Sequence, residues 1–456
     1  MSPTSDSTVS DFVHSLGLDA YLVGGAVRDE LLGRAAKDQD FVVPGVGYDE
    51  LRTALSPHGR VEDLEVAGQR VGLRLYPRDS AVRALAPAGI EFAPPRTERS
   101  TGPGRHDFEI VASPEISLEQ DMGRRDFTIN AIAKRLATSE LLDPFGGEED
   151  LRAGVLRTVS PQSFREDPLR IVRGLRFVSE HDLAPDEQTL AQMREEAASV
   201  AFVSGERIGG GLSADDMGEL SKLLLGPHPA TALRLARDTG VLVELLPEFR
   251  PAIGFSESNN EFQPTSLEEH IFAVVQATAE AGARLEVRLG ALLHDLGKPT
   301  VRSVGEHAEA GARIAGLVLD RFRYPAKVQR HVRRLVAAHA YSVEPSPSAA
   351  RRFLAEHGDE LALDLAEHRL ADLRAKVAPA AWLADAEAFS RLLVQERTRP
   401  HRVEDLAVDG RDLIELGLRE GPEIGAALDA LLDRVLEDPS VNTRDRLLEE
   451  ARRLRR

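Results

Sequence analysis

The chain has no cysteine among its 456 residues, a single tryptophan and four methionines. Without cysteine there is no disulfide, no cysteine zinc site and no thiol nucleophile. That suits a reducing compartment, and a cytoplasmic location is expected. No uninterrupted apolar run approaches the length of a membrane span, so no membrane partner is expected. The N-terminal MSPTSDSTVSDF has neither the basic n-region nor the apolar h-region of a secretion signal. A basic excess is missing too. The formal net charge is −18, so any contact with nucleic acid must come from local basic patches. What is present, 42% hydrophobic and 29% charged residues, suffices for two or more packed domains.

The pattern changes along the chain. Up to about Asp143, short strand-like runs (YLVGG, DFVVPG, RVGLRLYP, GIEFAPP) alternate with short helical patterns. From about Leu151 onward the apolar period is helical. Ser266 and Glu269 have the spacing of a capping box ahead of the run HIFAVVQATAEAG. Polar breaks fall at GFSESNNEFQPTS and VEPSPSA. In SGERIGGGLSADDMGELSKLLLG three glycines interrupt a helical pattern. The expected architecture is α+β: a mixed β-sheet head with helices, then a long all-α region.

The stretch YLVGGAVRDELLGRAAKDQDFVV concentrates the chemistry. Gly24 and Gly25 permit a tight turn and a close backbone approach to a ligand. At the start of a helix, the N–H groups there suit phosphate oxygens, and Arg28 adds a charge-assisted contact. Asp38 and Asp40 lie two apart on an expected strand, so both carboxylates face one side. Such a pair repels itself unless a cation intervenes, which suits Mg2+ with phosphate oxygens. Glu91, in GIEFAPP, is the candidate third carboxylate. Singly, a Gly-Gly is usually a turn and an Asp-x-Asp a solvated edge; their joint spacing is far more specific.

Further along, RRDFTINAIAKRL reads as two arginines, an aspartate and an asparagine leading an apolar helix. EDPLRIVRGLRF is expected to place Glu166, Asp167, Arg170, Arg173 and Arg176 on one helix. Asp167 and Arg170 side by side offer acceptors and donors, as reading a base edge requires.

These segments, in this order and with DPFGGEEDL and SGERI, resemble the motifs of bacterial class II tRNA nucleotidyltransferases and their poly(A) polymerase relatives. The resemblance runs through nearly the whole chain. It implies a polymerase-β-like head over residues 1–145, a helical neck over 146–225 and a body over 226–264. An HD domain over 265–376 and a helical tail over 377–456 follow. It implies template-independent addition of CMP and AMP to the tRNA 3′ end, with ATP, CTP and tRNA as partners and no DNA. By the resemblance, Asp38 and Asp40 hold catalytic Mg2+, and Gly25 and Arg28 contact the triphosphate. Arg125, Asp126 and Asn130 serve nucleotide and sugar binding. Asp167 and Arg170 read the base, supported by Arg173 and Arg176. The family's specificity loop corresponds to RTERSTGPGRHDF. Full CCA addition is favoured; CC-only, A-only and poly(A) addition stay open. The GGGLSADDMG segment departs from the family pattern and reads as an insertion.

A second constellation lies downstream. His-Asp occurs three times, but only His294-Asp295 sits in an apolar helical run. With His270, His307, His339 and Asp372 it forms a plausible donor set for a divalent metal. The segments SLEEHI, LLHDLGKP, GEHAEAGA, LVAAHA and LADLRA resemble an HD phosphohydrolase domain. The resemblance assigns His270, His294, Asp295 and Asp372 to a metal (Mn, Ni, Fe or Mg), and His307 and His339 to a second one. It implies hydrolysis of phosphoesters such as 2′,3′-cyclic phosphates. A phosphohydrolase whose head merely binds nucleotide is the alternative from another class. The stretch DRFRYPAKVQRHVRR, with six Lys/Arg against one Asp, is the candidate contact for tRNA backbone.

Overall fold

The computed structural model describes residues 8–34, 39–66, 68–100, 108–211, 217–256, 261–301, 306–342 and 344–454. Asp38, positions 101–107 of the expected specificity loop and positions 212–216 of the expected insertion lie outside the described residues. The chain divides into two compact units, Met1–Pro247 and Glu248–Arg456.

The first unit is organised by a mixed sheet. Its strands are β1 (Tyr21–Val23), β2 (Asp40–Val42), β3 (Gly59–Val66), β4 (Gln69–Pro77) and β5 (Ile90–Ala93), closed by β8 (Ala133–Arg135) and β9 (Leu141–Leu142). A separate antiparallel pair is β6 (Arg96–Ser100) and β7 (Phe108–Ala112). The order in the large sheet is β3-β4-β5-β2-β1-β8-β9, with β2 and β5 parallel and the other pairs antiparallel. Alternation along β1 and β2 explains why the sheet buries both faces. Leu22 and Phe41 enter one core with Leu51, Leu73 and Phe92, whereas Val23 and Val42 enter another with Met122, Ala131 and Ala133. Phe41 stacks on Phe92 at 5.6 Å between ring centroids. This parity puts Asp40 on the Val42 face, the side from which Met122 and the arginines after it approach.

Three local expectations are corrected. The run after Arg125-Asp126 is not an apolar helix. Thr128–Asn130 form one short 3₁₀ turn, and Ala133–Arg135 form β8 against β1. A short apolar run is ambiguous in period, and here pairing with β1 decides. Asp167 does not lie on the helix with Arg170. It sits in extended backbone between the helices Ser163–Glu166 and Leu169–His181. Pro168 forces this, because a proline ring excludes the preceding residue from helical geometry. Ser266 occupies the N-cap of the helix Leu267–Glu280, but its side chain makes no capping hydrogen bond.

Around the three glycines, the chain leaves and returns at one point. Gly218 N–H donates to the Gly209 carbonyl at 2.8 Å, and Gly210 bridges Met217. A side chain at Gly218 would strike the Ile208 carbonyl, so the crossing needs glycine.

The second unit is helical throughout its described residues. The helices Leu267–Glu280, Leu285–Leu293, His307–Arg321, Ala326–Ala338, Asp359–Arg374 and Ala380–Glu396, with the residues that cap them, carry the candidate histidines and their surroundings. Val287, Leu335, Leu354, Leu365 and Phe389 pack in one core. The C-terminal helices build another around Leu413, Leu431, Val435 and Leu447.

Candidate functional site

In the first unit, Gly24 ends β1 with φ near +70°, a conformation that L side chains rarely adopt. A Cβ there would lie 2.6 Å from a guanidinium nitrogen of Arg125. The glycine thus lets an arginine reach the turn from which the helix Gly25–Leu31 departs. Beside this turn opens a cleft of about 510 Å³. Gly24, Gly25, Arg28, Asp40, Arg125, Asp126, Asn130, Asp167, Arg170, Arg173 and Arg176 all line it. Eleven residues expected from separate segments therefore converge on one space. Glu91 does not line the cleft. It faces Asp40 in the parallel β2–β5 register and is ion-paired with Arg74. Both carboxylates line an adjoining hollow of about 160 Å³ together with Arg96, Arg124 and Arg125.

The cleft wall is a chain of charge-assisted bonds. Arg28 donates to Asn130 Oδ1 at 2.8 Å and to Asp29. Asn130 Nδ2 donates to Asp126 Oδ1 at 3.0 Å, and Arg173 donates to Asp126 Oδ2 at 2.9 Å. Arg173 and Arg176 both also bond Glu219, at the start of the helix Glu219–Leu225. Phe177 presents its ring to Arg28, Arg173 and Arg176, with Arg176 nearest at 4.1 Å. Burial alone would raise the Asp126 carboxyl. The Arg173 charge and the hydrogen bonds from Asn130, Arg173 and the Phe127 N–H outweigh it and hold the group well below its ordinary 3.8. Asp126 is thus an ionised brace at neutral pH between the turn and the helix Leu169–His181.

Across the cleft, Asp167 accepts two bonds from Arg207, the shorter at 2.7 Å, and one from the Leu169 N–H. Arg170 donates to Ser163, to Glu166 and to the Arg124 carbonyl at 2.7 Å. Both side chains are therefore fixed before any nucleotide arrives. The sequence reading missed Arg96, Arg124, Phe177 and Arg207, which also line the cleft, and Glu219, which is buried behind it. Arg207 lay within SGERI and was visible as a motif. Glu219 gave no signal of its own, since its partners are more than forty residues away.

In the second unit, His270, His294, Asp295, His307, His339 and Asp372 are all buried and gather in one cluster. Two sets of three have donor atoms close enough for one ion each: His270, His294 and Asp295, and Asp295, His307 and His339. Asp295 is shared. His294 Nε2 lies 3.1 Å from one of its oxygens, and His339 Nε2 lies 3.4 Å from the other. Asp372 stands at the edge, 3.2 Å from His270 and held by Lys376 at 2.6 Å and Arg369 at 3.2 Å. His368, one turn before Asp372, was missed. It is buried with its ring 5.0 Å from His294, and neither ring nitrogen has a hydrogen-bond partner.

Burial, together with neighbouring imidazoles, lowers the His294 and His368 rings. Burial works against ionisation of Asp295 and Asp372, but the histidines and lysines around them hold both carboxyls well below their ordinary range. Neutral imidazoles and ionised carboxylates are the protonation states that ligate metals. Both nitrogens of His270 are buried; Nδ1 has no hydrogen-bond partner, and Nε2 meets only the carboxylates of Asp372 at 3.2 Å and Asp295 at 3.6 Å. Such orphaned donors fit divalent cations shared through Asp295.

Similarity to known proteins extends across both units. Residues 20–157 match the poly A polymerase head domain, 182–253 the probable RNA and SrmB-binding site of polymerase A, and 267–385 the HD domain. The multifunctional CCA protein of Pseudomonas aeruginosa is 32% identical over 428 residues, covering 90% of this chain and 96% of that one. Its counterpart from Chromobacterium violaceum is 37% identical over 317 residues, or 68% and 71%. Among solved structures, the Bacillus stearothermophilus CCA-adding enzyme in complex with CTP superposes with a TM-score of 0.68 at 28% identity, covering 98% and 96% of the two chains. The Thermotoga maritima enzyme complexed with tRNA shares the fold, with a TM-score of 0.60 at 22% identity and 98% and 94% coverage. With its glycine turn, arginine-lined cleft and HD cluster on one chain, this protein belongs to the family of multifunctional CCA proteins.

Proposed function

We propose that the chain adds CMP and AMP to the 3′ end of tRNA to build or repair CCA, using ATP and CTP without a nucleic-acid template. The observation that carries this reading is the single cleft. It joins a carboxylate on β2, a glycine turn with Arg28, and a rigid Asp167–Arg170 pair. Asp38 and Asp40 are the residues to hold Mg2+, with Glu91 the neighbouring carboxylate. Bound there, Mg2+ would lower the pKa of the attacking 3′-hydroxyl and neutralise phosphate charge. The chain's own residues supply position and selection. Gly25 N–H and Arg28 face the triphosphate, Arg125 and the Asp126–Asn130 brace bound the sugar region, and Asp167 with Arg170 presents an acceptor and donors to the base edge. Fixing those two side chains in advance favours a base that matches them over one that leaves them unpaired. The exposed face Lys327, Arg330, Arg333 and Arg334 of the helix Ala326–Ala338 is the proposed contact for tRNA backbone.

The test supplies tRNAs ending before C, after C and after CC, with CTP or ATP separately. Stepwise addition of two C residues and one A is expected. Products that stop at CC, start only after CC or run into poly(A) would replace CCA addition by the corresponding relative activity. No extension would overturn the transferase reading.

For the second unit we propose a metal-dependent phosphohydrolase acting on phosphoesters such as 2′,3′-cyclic nucleotides. His270, His294 and Asp295 would hold one cation, with Asp372 beside them; His307 and His339 would share Asp295 for another. Hydrolysis of adenosine 2′,3′-cyclic phosphate is expected to disappear in Asp295→Ala while tRNA extension persists. Undiminished hydrolysis in that variant would remove the proposal.

A further inference from the structure

Next to the histidine cluster is a separate cavity of about 300 Å³. One wall is a face of the helix Ala380–Glu396, where Trp382, Asp385 and Phe389 recur at helical spacing. Tyr341 and Arg369 close the other side. The indole of Trp382, the chain's single tryptophan, packs against Phe262 at 4.8 Å between ring centroids and is still 42% exposed. An aromatic surface left this open beside a cavity is available for stacking. The size is at the small end of ligand pockets, enough for a nucleoside and too small for a duplex.

The cavity is tied to the metal-binding cluster by two short links. Arg369 lines it and also donates to Asp372 at 3.2 Å. Tyr341 follows His339 by two residues, and its N–H donates to the His339 carbonyl. A guanidinium has five N–H donors, so Arg369 can keep Asp372 and still take a phosphate oxygen. Aromatic walls suit a planar ring, and the Asp385 carboxylate only accepts hydrogen bonds. A ring with an exocyclic amino group fits it well; uracil offers only its N3–H, flanked by two carbonyl oxygens that the carboxylate repels, and fits it less well.

We propose that this cavity is the nucleobase subsite of the histidine–aspartate centre. The base stacks on Trp382 and Tyr341, an amino group meets Asp385, and Arg369 directs the phosphate toward the cluster. The substrates are then phosphoesters of single or unpaired terminal nucleosides, with adenine, cytosine or guanine preferred over uracil. This inference rests on reading the centre as a phosphohydrolase.

The single tryptophan makes the test direct, since the head contains none. Titration of the full chain with adenosine 2′-monophosphate, a product-type ligand of cyclic-ester hydrolysis, read at once on mixing, is expected to give saturable quenching of Trp382 fluorescence. Uridine 2′-monophosphate should bind at least about fivefold more weakly. In kinetics, Trp382→Ala is expected to lower kcat/KM for adenosine 2′,3′-cyclic phosphate about tenfold relative to glycerol 1,2-cyclic phosphate, which carries no base. The loss should appear in KM, and Trp382→Phe should recover most of it. Absence of saturable quenching, or equal losses for the two esters, would overturn the subsite. Asp295→Ala separates the two readings. Hydrolysis of both esters that survives this variant sinks the phosphohydrolase, and the fluorescence titration still judges the cavity.

Discussion

The cleft of the first unit and the cluster of the second both concentrate buried charge, but they satisfy it differently. In the cleft, Asp126, Asp167, Arg170, Arg173 and Arg176 each have protein partners at hydrogen-bond distance. Its geometry exists before a ligand arrives, as a site that must choose between bases requires. In the cluster, His270 Nδ1 and both ring nitrogens of His368 have no hydrogen-bond partner. That arrangement suits completion by the cations proposed above. On the proposed reading, the site that selects a nucleotide is held mainly by internal salt bridges, and the site that takes cations offers unfilled lone pairs.

The largest effect expected to sharpen this contrast is Asp40→Ala. It should lower CMP addition by about 10³ or more, while hydrolysis in the second unit is retained. A parallel loss of both activities would mean that the two sites are not independent.

Asp126→Ala should break the cleft from within. Removing a buried carboxylate from the part-exposed Arg173 leaves that guanidinium with Glu219 alone, at a cost of about 1–3 kcal/mol in urea unfolding. The sign of the pH dependence follows from the depressed carboxyl. Its folded-state pKa lies below the ordinary 3.8, so its contribution is complete above that value and is lost as pH falls further. The wild-type and Asp126→Ala unfolding curves should therefore converge below about pH 4. A constant difference across that range would show that the Asp126–Arg173 pair is not what stabilises the wall.

Metal removal should distinguish the sites by a smaller effect. Chelation is expected to lower the melting temperature of the second unit by a few degrees, because cations satisfy the orphaned histidines, and it should leave the first unit's transition in place. Equal shifts in both transitions would erase the contrast.

Arg207→Ala should be milder still. It frees Asp167 without touching the metal side, so misincorporation should rise about tenfold with a smaller change in the rate for the correct nucleotide. Arg207→Lys should recover part of the selectivity, since one ammonium cannot reproduce the bidentate contact. An equal fall for right and wrong nucleotides would assign Arg207 to stability alone.

Much of both sites was legible in the sequence because the relevant residues come in short runs with functional spacing. Gly24-Gly25 with Arg28, Asp167 with Arg170, and His294-Asp295 could each be found locally. The errors arose where local pattern and tertiary partner disagreed. AIAKR has helical composition, but an open edge of β1 recruits it as β8. The spacing of Asp167 continues a helical pattern that Pro168 splits. Glu219 and His368 went unnoticed because a lone Glu or His on an amphipathic helix is ordinarily a surface or packing residue. Only the neighbours brought from distant segments reveal that each is buried among charges.

The sequence by itself determined the α+β head, the helical remainder and the chemical types at both sites, because period and side-chain chemistry are local properties. Only the tertiary structure decided that eleven of those residues share one cleft, that Arg207 and Glu219 lock its walls, and that Asp295 is shared between two sets of histidines. These are distances between segments far apart in the chain. Burial then fixes the charge states, since a buried ion persists only beside the partner that packing brings to it.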